Sequence, residues 1–505
     1  MPSPSAQSPS SVVIVGAGLA GAQTAAALRK HGFEGHLTVL GAEGLPPYDR
    51  PPLSKELLKR TEPVWLADDL GIDLTALADD LRLADPAVRL EVDRERAVVR
   101  TSSGDDVVAD AVVLACGSAP IRPAGWDAAV TLHTATDAER LRAALVLGTR
   151  LVVVGAGWIG AEVAGVAAGA GARVTVVEAG PVPLERQLGR KVGGLLAPWY
   201  DDAGVTLVTG VAVDQVLPGT REDAQDGARV TLADGRVLEA DLVLAAVGAR
   251  PASGWLAGSL PLESNGGLRV NRAGRFMGLH SPTDPAGRLH LDALRRVWAV
   301  GDIATREHPV FGPVPGGHWS AALHDPDATV RALLGLDERA AEPEHVRARL
   351  GLEPVAAHAP YVFSQQLGHD LALFGVPSPF DEVVLRGAPG VAGGQSAAGG
   401  QSAAGGPGAT GRPSATGGPG ATGGAVAGRP TAGGGWAALY LENALDRHPR
   451  RTPDGHRVAT VRAVLLVDSP REVGQVRKLM NRSVPLEVDL TRALDPKTKL
   501  KDALA

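Results

Sequence analysis

Two short glycine patterns carry the chemistry that this chain can do. Gly16, Gly18 and Gly21 in VVIVGAGLAGAQ, and Gly155, Gly157 and Gly160 in LVVVGAGWIGAE, each make G-x-G-x-x-G behind an apolar run and ahead of a run with helical period. The first glycine permits a tight turn, the second lets a pyrophosphate approach the backbone, and the third lets helix and strand pack closely. The helix N-terminus then offers free N–H groups and a partial positive charge of about half a unit to an anion. Behind the second pattern, Arg173 to Val177 reads as a strand ending in Glu178, about twenty residues on, where a ribose 2′-hydroxyl needs an acceptor. Behind the first, His36 to Leu40 reads as the corresponding strand. Two such units predict two bound dinucleotides.

Other reactive side chains are carried by stiff or strand-ending sequence. LPPYDRPPLSKELL, Leu45 to Leu58, holds four prolines, which fix φ and exclude helix until about Ser54, so that Tyr48, Asp49, Arg50 and Lys55 are held in defined places. Lys55 is then expected at the start of a helix, where a cation opposes the helix dipole; it is either solvated or serves an anion or a flavin. Asp302 ends RRVWAVGD and suits an N-cap, a turn, or a ribitol or phosphate contact. Cys116 is the single cysteine and ends the apolar AVVLACGS. No disulfide or dithiol relay can form within the chain, and a small packed residue is expected there.

These residues need a scaffold larger than one core. At 505 residues the chain exceeds the roughly 250–300 that a single core supports, and three domains are expected. An apolar fraction of 44%, with 21% charged residues and a net charge of −6, fits a globular protein without a global footprint for nucleic acid. The fold class expected is α/β: two nested Rossmann-like dinucleotide-binding domains followed by a C-terminal α+β domain. The first would take residues 11–126 and 245–335, the second 127–244, and the third 350–505. Residues 1–10 lack the basic and apolar regions of a signal peptide and read as a disordered tail. Apolar runs are interrupted by Gly and Arg, so no membrane span is needed and a cytoplasmic location is expected.

Within these limits a hairpin is expected in Arg89–Val108, a helix from about Arg190 to Ala203, and hairpins in Val205–Leu217 and Ala228–Pro251. A further helix is expected from about Trp319 to Leu334. Residues 387–435 repeat GGQSAA twice, then GGPGAT, GRPSAT and GGPGAT, with no aromatic residue, Leu, Ile or acid. Nothing in that stretch offsets the entropy of ordering it, so it reads as a disordered insertion. The flanking strands Asp381–Arg386 and Trp436–Leu441 should pair across it.

The ordered set GAGLAG, PYDRPPLSK, GAGWIGAE, VVEAG, AVGARP, GDIA and HWSAA resembles the ferredoxin, putidaredoxin and rubredoxin reductase family of FAD-dependent NAD(P)H oxidoreductases, of which apoptosis-inducing factor is a relative. The resemblance implies that Gly16, Gly18 and Gly21 hold the FAD pyrophosphate, with Glu43 at the adenosine-ribose position two residues beyond the strand end. It implies a catalytic pair, Lys55 and Glu162, beside the flavin ring, with Arg50 on the flavin side, Asp302 on the ribitol and Trp319 near the isoalloxazine. Gly155, Gly157, Gly160 and Glu178 would hold NADH. No metal is implied. The implied activity takes a hydride from NADH at the flavin N5 and passes single electrons to a small iron–sulfur protein, a ferredoxin or rubredoxin serving an oxygenase, with no nucleic-acid or membrane partner. The alternatives are an NADH oxidase or diaphorase, and a redox-sensing interaction protein resembling apoptosis-inducing factor. The chain departs from the family at Pro315 and Gly317, where Arg and Glu are usual, at Val362-Phe363-Ser364-Gln365, usually Phe-Trp-Ser-Asp, and at Cys116, usually Thr.

Overall fold

The structure is a computed structural model that describes residues 8–219, 227–278, 294–336, 357–387, 435–442 and 450–505. The terminal tail to residue 7 and the interior of the Gly/Ala-rich insertion lie outside the described residues.

Val-rich runs of four or five residues form buried parallel strands, because one face of each sheet packs on helices and the other on an antiparallel sheet, so no polar alternation is needed. The first sheet is all parallel, in the order Val297–Ala299, Ala111–Leu114, Ser11–Val15, His36–Leu40, Asp80–Arg82. The second is also all parallel: Thr206–Thr209, Arg173–Glu178, Arg150–Val154, Leu242–Ala245. The strand ahead of each G-x-G-x-x-G fingerprint, Ser11–Val15 or Arg150–Val154, is interior to its sheet, and each is followed by a twelve-residue helix, Leu19–Lys30 or Trp158–Gly169. The chain passes between the two units along a short antiparallel ribbon, Ser118–Pro120 with Ala249–Pro251.

Each unit carries a three-stranded antiparallel sheet, Ala87–Val92, Ala97–Thr101 and Asp106–Ala109 in the first, and Val213–Pro218, Ala228–Leu232 and Val237–Ala240 in the second. The single hairpin expected in Val205–Leu217 is not formed. Thr206–Thr209 joins the parallel sheet beside Thr175–Glu178, whereas Val213–Pro218 pairs with Ala228–Leu232. Gly210, at φ +73°, turns the chain from one sheet to the other. Alternation along those residues reports half-burial and does not say which neighbour supplies the hydrogen bonds. The helix expected from Arg190 begins at Glu185 and continues through a break at Gly189 to Leu196, with a further turn at Pro198–Asp202.

The C-terminal part is a six-stranded antiparallel sheet in the order Tyr361–Gln366, His369–Gly375, Val458–Val467, Trp436–Leu441, Glu382–Arg386, with Leu486–Asp489 added to the first half of the long strand. The pairing expected across the insertion is present, running from Glu382↔Leu441 to Arg386↔Ala437. Leu371, Leu373, Trp436, Tyr440 and Leu465 from this sheet share one core with Leu151, Val163, Ala167 and Leu188 of the second parallel-sheet unit. Burying each such side chain is worth about 1.5–3 kcal/mol, so the C-terminal sheet is fixed to the fingerprint helix. Polar contacts add to this: the Tyr440 hydroxyl donates to the Leu188 carbonyl (2.9 Å) and Lys191 to the Val383 carbonyl (2.8 Å). Among the described residues no helix is long and apolar enough to cross a membrane.

Candidate functional site

The two glycine turns open onto one cavity of about 1010 Å³. At each turn the first glycine is in the left-handed region, Gly16 at φ +117° and Gly155 at +105°, where a Cβ would lie 2.2 Å from the Ala115 carbonyl oxygen or 2.5 Å from that of Ala246. The third glycines line no part of the cavity. A Cβ on Gly21 would lie 1.8 Å from the Gly16 oxygen, and one on Gly160 would lie 2.0 Å from the Gly155 oxygen, so these positions bring helix onto strand. The middle glycines behave differently. Gly18 and Gly157 cap their helices without a side-chain hydrogen bond, line the cavity, and have no atom within 4 Å of where a Cβ would stand. Uncapped N–H groups facing open space that a side chain would fill are what a dinucleotide pyrophosphate requires, and both cradles fit one.

The acids beyond the fingerprints are both in the cavity wall. Glu178 accepts from the Ala156 N–H through Oε2 (2.7 Å) and from the Gly180 N–H through Oε1 (2.8 Å), which ties the strand end to the glycine turn. Its remaining lone pairs are free for a ribose. Glu43 accepts from the Tyr48 hydroxyl (2.5 Å) and pairs with Arg50, whose guanidinium also donates to the His133 carbonyl. Arg50 and Glu43 therefore form a direct pair in the cavity wall. Burial pushes the Tyr48 hydroxyl up to about 12, so it stays a proton donor to Glu43.

The same cavity is lined by an ion pair. Lys55 Nζ sits 2.9 Å from Glu162 Oε1, with the carboxylate 2% exposed and the lysine 14%. Lys55 does not open a helix, as its sequence suggested. Pro51 and Pro52 suit a first turn, so the short helix runs Pro52–Lys55 and Lys55 is its last residue, where the dipole favours a cation. Glu162 faces inward from the helix Trp158–Gly169 and takes two hydroxyl donors as well, Ser54 to Oε2 (2.5 Å) and Ser364 to Oε1 (2.6 Å). Burying a carboxylate is costly unless its oxygens are partnered, and both of these are.

Also in the cavity lining, Asp302 accepts from the Ser118 hydroxyl (3.0 Å) and the Gly317 N–H (2.9 Å). Trp319, 38% exposed at the cavity rim, donates from Nε1 to Asp49 (2.8 Å). Burial raises the Asp49 carboxyl, and this hydrogen bond counteracts the rise. Cys116 also lines the cavity; its thiol donates to the Val15 carbonyl (3.4 Å), and burial pushes it up to about 12. It holds no thiolate at neutral pH.

The structure thus gathers Gly16, Gly18, Glu43, Arg50, Lys55, Gly155, Gly157, Glu162, Glu178, Asp302 and Trp319 around one space. Sequence reasoning missed Ser54, Ser118, the role of Ser364 and Arg186 in the lining, and singled out Val362 and Phe363, which also line the cavity, only as a departure from the family motif. Ser54 had a signal, its place beside Lys55 in RPPLSK; Ser118 had none. Among the described residues no group of three or more His, Cys, Asp or Glu could hold a metal.

A sequence profile of the pyridine nucleotide-disulphide oxidoreductases matches residues 10–322. The chain is 32% identical over 388 residues to the ferredoxin–NAD(+) reductase subunit of the benzene 1,2-dioxygenase system of Pseudomonas putida, covering 75% of this chain and 84% of that one. It is 31% identical over 389 residues to putidaredoxin reductase of Pseudomonas putida, covering 75% and 83%. The crystal structure of the covalent putidaredoxin reductase–putidaredoxin complex superposes with a TM-score of 0.72 at 25% identity, over 98% of this chain and 97% of that one.

Proposed function

We propose, on the premise that this chain belongs to the pyridine nucleotide-disulphide oxidoreductase family, that it is an FAD enzyme carrying electrons from NADH to a small iron–sulfur protein of an oxygenase system. The observation that carries the reading is the cavity itself: two pyrophosphate cradles open on one space that a buried Lys55–Glu162 pair also lines. The functions of the related reductases supply the acceptor class. A bound flavin supplies the conversion of a two-electron hydride into single-electron steps.

The residues divide the remaining work. Gly16, Gly18 and the N-terminus of Leu19–Lys30 hold the FAD pyrophosphate, while Glu43 serves the adenosine ribose, Arg50 pairs with it from the flavin side, and Asp302 with Ser118 serves the ribitol. Gly155, Gly157 and Glu178 hold NADH, the carboxylate accepting from the 2′-hydroxyl. Glu162 orients Lys55, so that a fixed cation favours an electron-rich ring without reorganisation. Trp319 and Phe363 narrow the mouth. In this reading residues 11–126 with 245–335 form the FAD unit, 127–244 the NAD unit and 350–505 the C-terminal unit, a division supported by the two separate parallel sheets, and the enzyme works in the cytoplasm.

The family's name points to disulphide chemistry, and this chain has a single cysteine whose thiol is held protonated, which favours an external electron carrier. The test is NADH-dependent reduction of cytochrome c, expected to be rapid only after a ferredoxin-type protein is added. Equally fast oxygen uptake without that protein would replace the reading with an oxidase. Slow turnover with an NADH-linked change of oligomer would replace it with an interaction protein.

A further inference from the structure

We propose that Ser364 is a positioning residue for the Lys55–Glu162 pair, and that the C-terminal sheet is thereby part of the reaction centre rather than only a platform beside it. The proposal deepens the reading above and rests on it for the role of Lys55.

Three donors converge on one carboxylate, and they arrive from distant parts of the chain. Ser54 and Lys55 come from the proline-bounded turn, Glu162 from the second fingerprint helix, and Ser364 from the strand Tyr361–Gln366. Ser364 is 0% exposed and Glu162 2% exposed, so water competes for neither. A serine hydroxyl has one proton, and facing a carboxylate it must donate it. The lone pairs of Ser364 Oγ receive the Gln366 amide at 3.3 Å, which fixes the direction of that donation.

Ser364 and Lys55 share the same oxygen, Oε1, at 2.6 and 2.9 Å, while Ser54 takes Oε2. With both oxygens held, the carboxylate plane cannot turn, and the position of the Lys55 ammonium is set by it. The approach that brings Ser364 there depends on a small residue in the helix. A Cβ on Gly165 would lie 2.7 Å from the Leu367 N atom, so any side chain at 165 would push away the strand end that follows Ser364. The residues before it, Val362 and Phe363, line the cavity. One strand therefore shapes the mouth and orients the pair. A buried serine that merely satisfied itself would bond to nearby backbone, as Ser253 does with the Gly266 carbonyl at 2.6 Å; Ser364 reaches a carboxylate 202 residues away in sequence.

The experiment uses the FAD-loaded enzyme with NADH and ferricyanide, an acceptor that needs no protein partner. In Ser364→Ala, FAD should stay bound, kcat should fall about tenfold, the loss expected for one charge-assisted hydrogen bond, and KM for NADH should not change. The midpoint potential of the bound flavin, measured by dithionite titration, should become more negative, because a less ordered cation stabilises the reduced ring less. Ser364→Thr should restore both quantities. In a Glu162→Gln background, Ser364→Ala should have little further effect, since the hydroxyl acts through that carboxylate. Wild-type kcat and potential in Ser364→Ala, or losses that simply add in the double variant, would overturn the proposal. Should Ser364→Ala lose FAD or fail to fold, Ser364→Cys keeps the volume with a weaker donor, and wild-type behaviour there overturns it equally. Ferricyanide turnover that depends on Ser364 in an enzyme unable to reduce any ferredoxin-type protein would remove the acceptor assignment and leave the proposal standing.

Discussion

Glu178 has two tasks that a substitution will separate. Its oxygens hold the Ala156 and Gly180 N–H groups, and the same carboxylate faces the cavity where a ribose 2′ position would lie. A negative charge there accepts from a hydroxyl and repels a phosphate, so kcat/KM should favour NADH over NADPH by about tenfold or more. Glu178→Ala should lower the NADH value, because two amides lose their acceptor, and bring the ratio towards one. An unchanged ratio would remove Glu178 from nucleotide choice. At Cys116 the expectation is that nothing redox-active is lost. With its thiol pushed up to about 12 by burial, anaerobic NADH titration should need one two-electron equivalent per FAD, and Cys116→Ser should retain ferricyanide turnover. A requirement for two equivalents would mean that the thiol takes part.

Individual glycines within one turn element do different things, which gives a paired prediction. Gly157→Ala adds a methyl to open space at the cradle, so the melting temperature should hold while KM for NADH rises. Gly160→Ala drives a methyl to within 2.0 Å of the Gly155 oxygen, so it should lower the melting temperature as well. Equal melting temperatures for the two variants would contradict the geometry.

A second element-scale prediction concerns the junction of the helix Trp319–Leu333 with the C-terminal sheet. His324 and His358 stack there with ring centroids 4.0 Å apart and planes 13° from parallel, near His308, His318 and the Arg306–Asp325 pair. Burial depresses all four histidines, His308 and His324 to about 4, with Arg272 adding to the effect at His308 and His358 and Arg477 at His324. Unfolded histidines titrate near 6.5. Between about pH 6.5 and 4 the unfolded chain therefore binds protons that the folded chain refuses, so stability is full above that window and is lost as the pH falls through it. The melting temperature should drop between pH 7 and 5, and His324→Asn should flatten the drop. A profile that is level over this range would show that the cluster is not held neutral.

For the whole molecule the open issue is the insertion. Its flanking strands pair in register up to Arg386↔Ala437, so the chain on either side is already joined as a hairpin would be. Closing a long loop costs only the logarithm of its length, which makes such an insertion tolerable. Replacing Ala388 to Gly434 with an Asn-Gly turn should preserve the flavin spectrum and NADH–ferricyanide turnover and raise the melting temperature slightly. Loss of FAD would show that the insertion is structural, and loss of ferredoxin reduction alone would make it part of partner docking.

What the sequence determined by itself was written in contiguous residues. The two G-x-G-x-x-G turns, the strand that ends in Glu178, the β-rich third part and the pairing of Glu382–Arg386 with Trp436–Leu441 are legible because period, turn residues and strand length are local properties. The resemblance added the pairing of Lys55 with Glu162, which the structure brings to 2.9 Å. Tertiary structure decided the rest. That Ser54 and Ser364 meet Glu162 depends on contacts spanning 108 and 202 residues, and that Glu43 turns to Arg50 depends on where a proline-stiffened loop lands. The same holds for Thr206–Thr209 and Val213–Pro218, neighbours in sequence that complete different sheets. A residue's propensity fixes how it can bond, whereas its partner is fixed by how separate cores pack, and no local pattern in the chain carries that information.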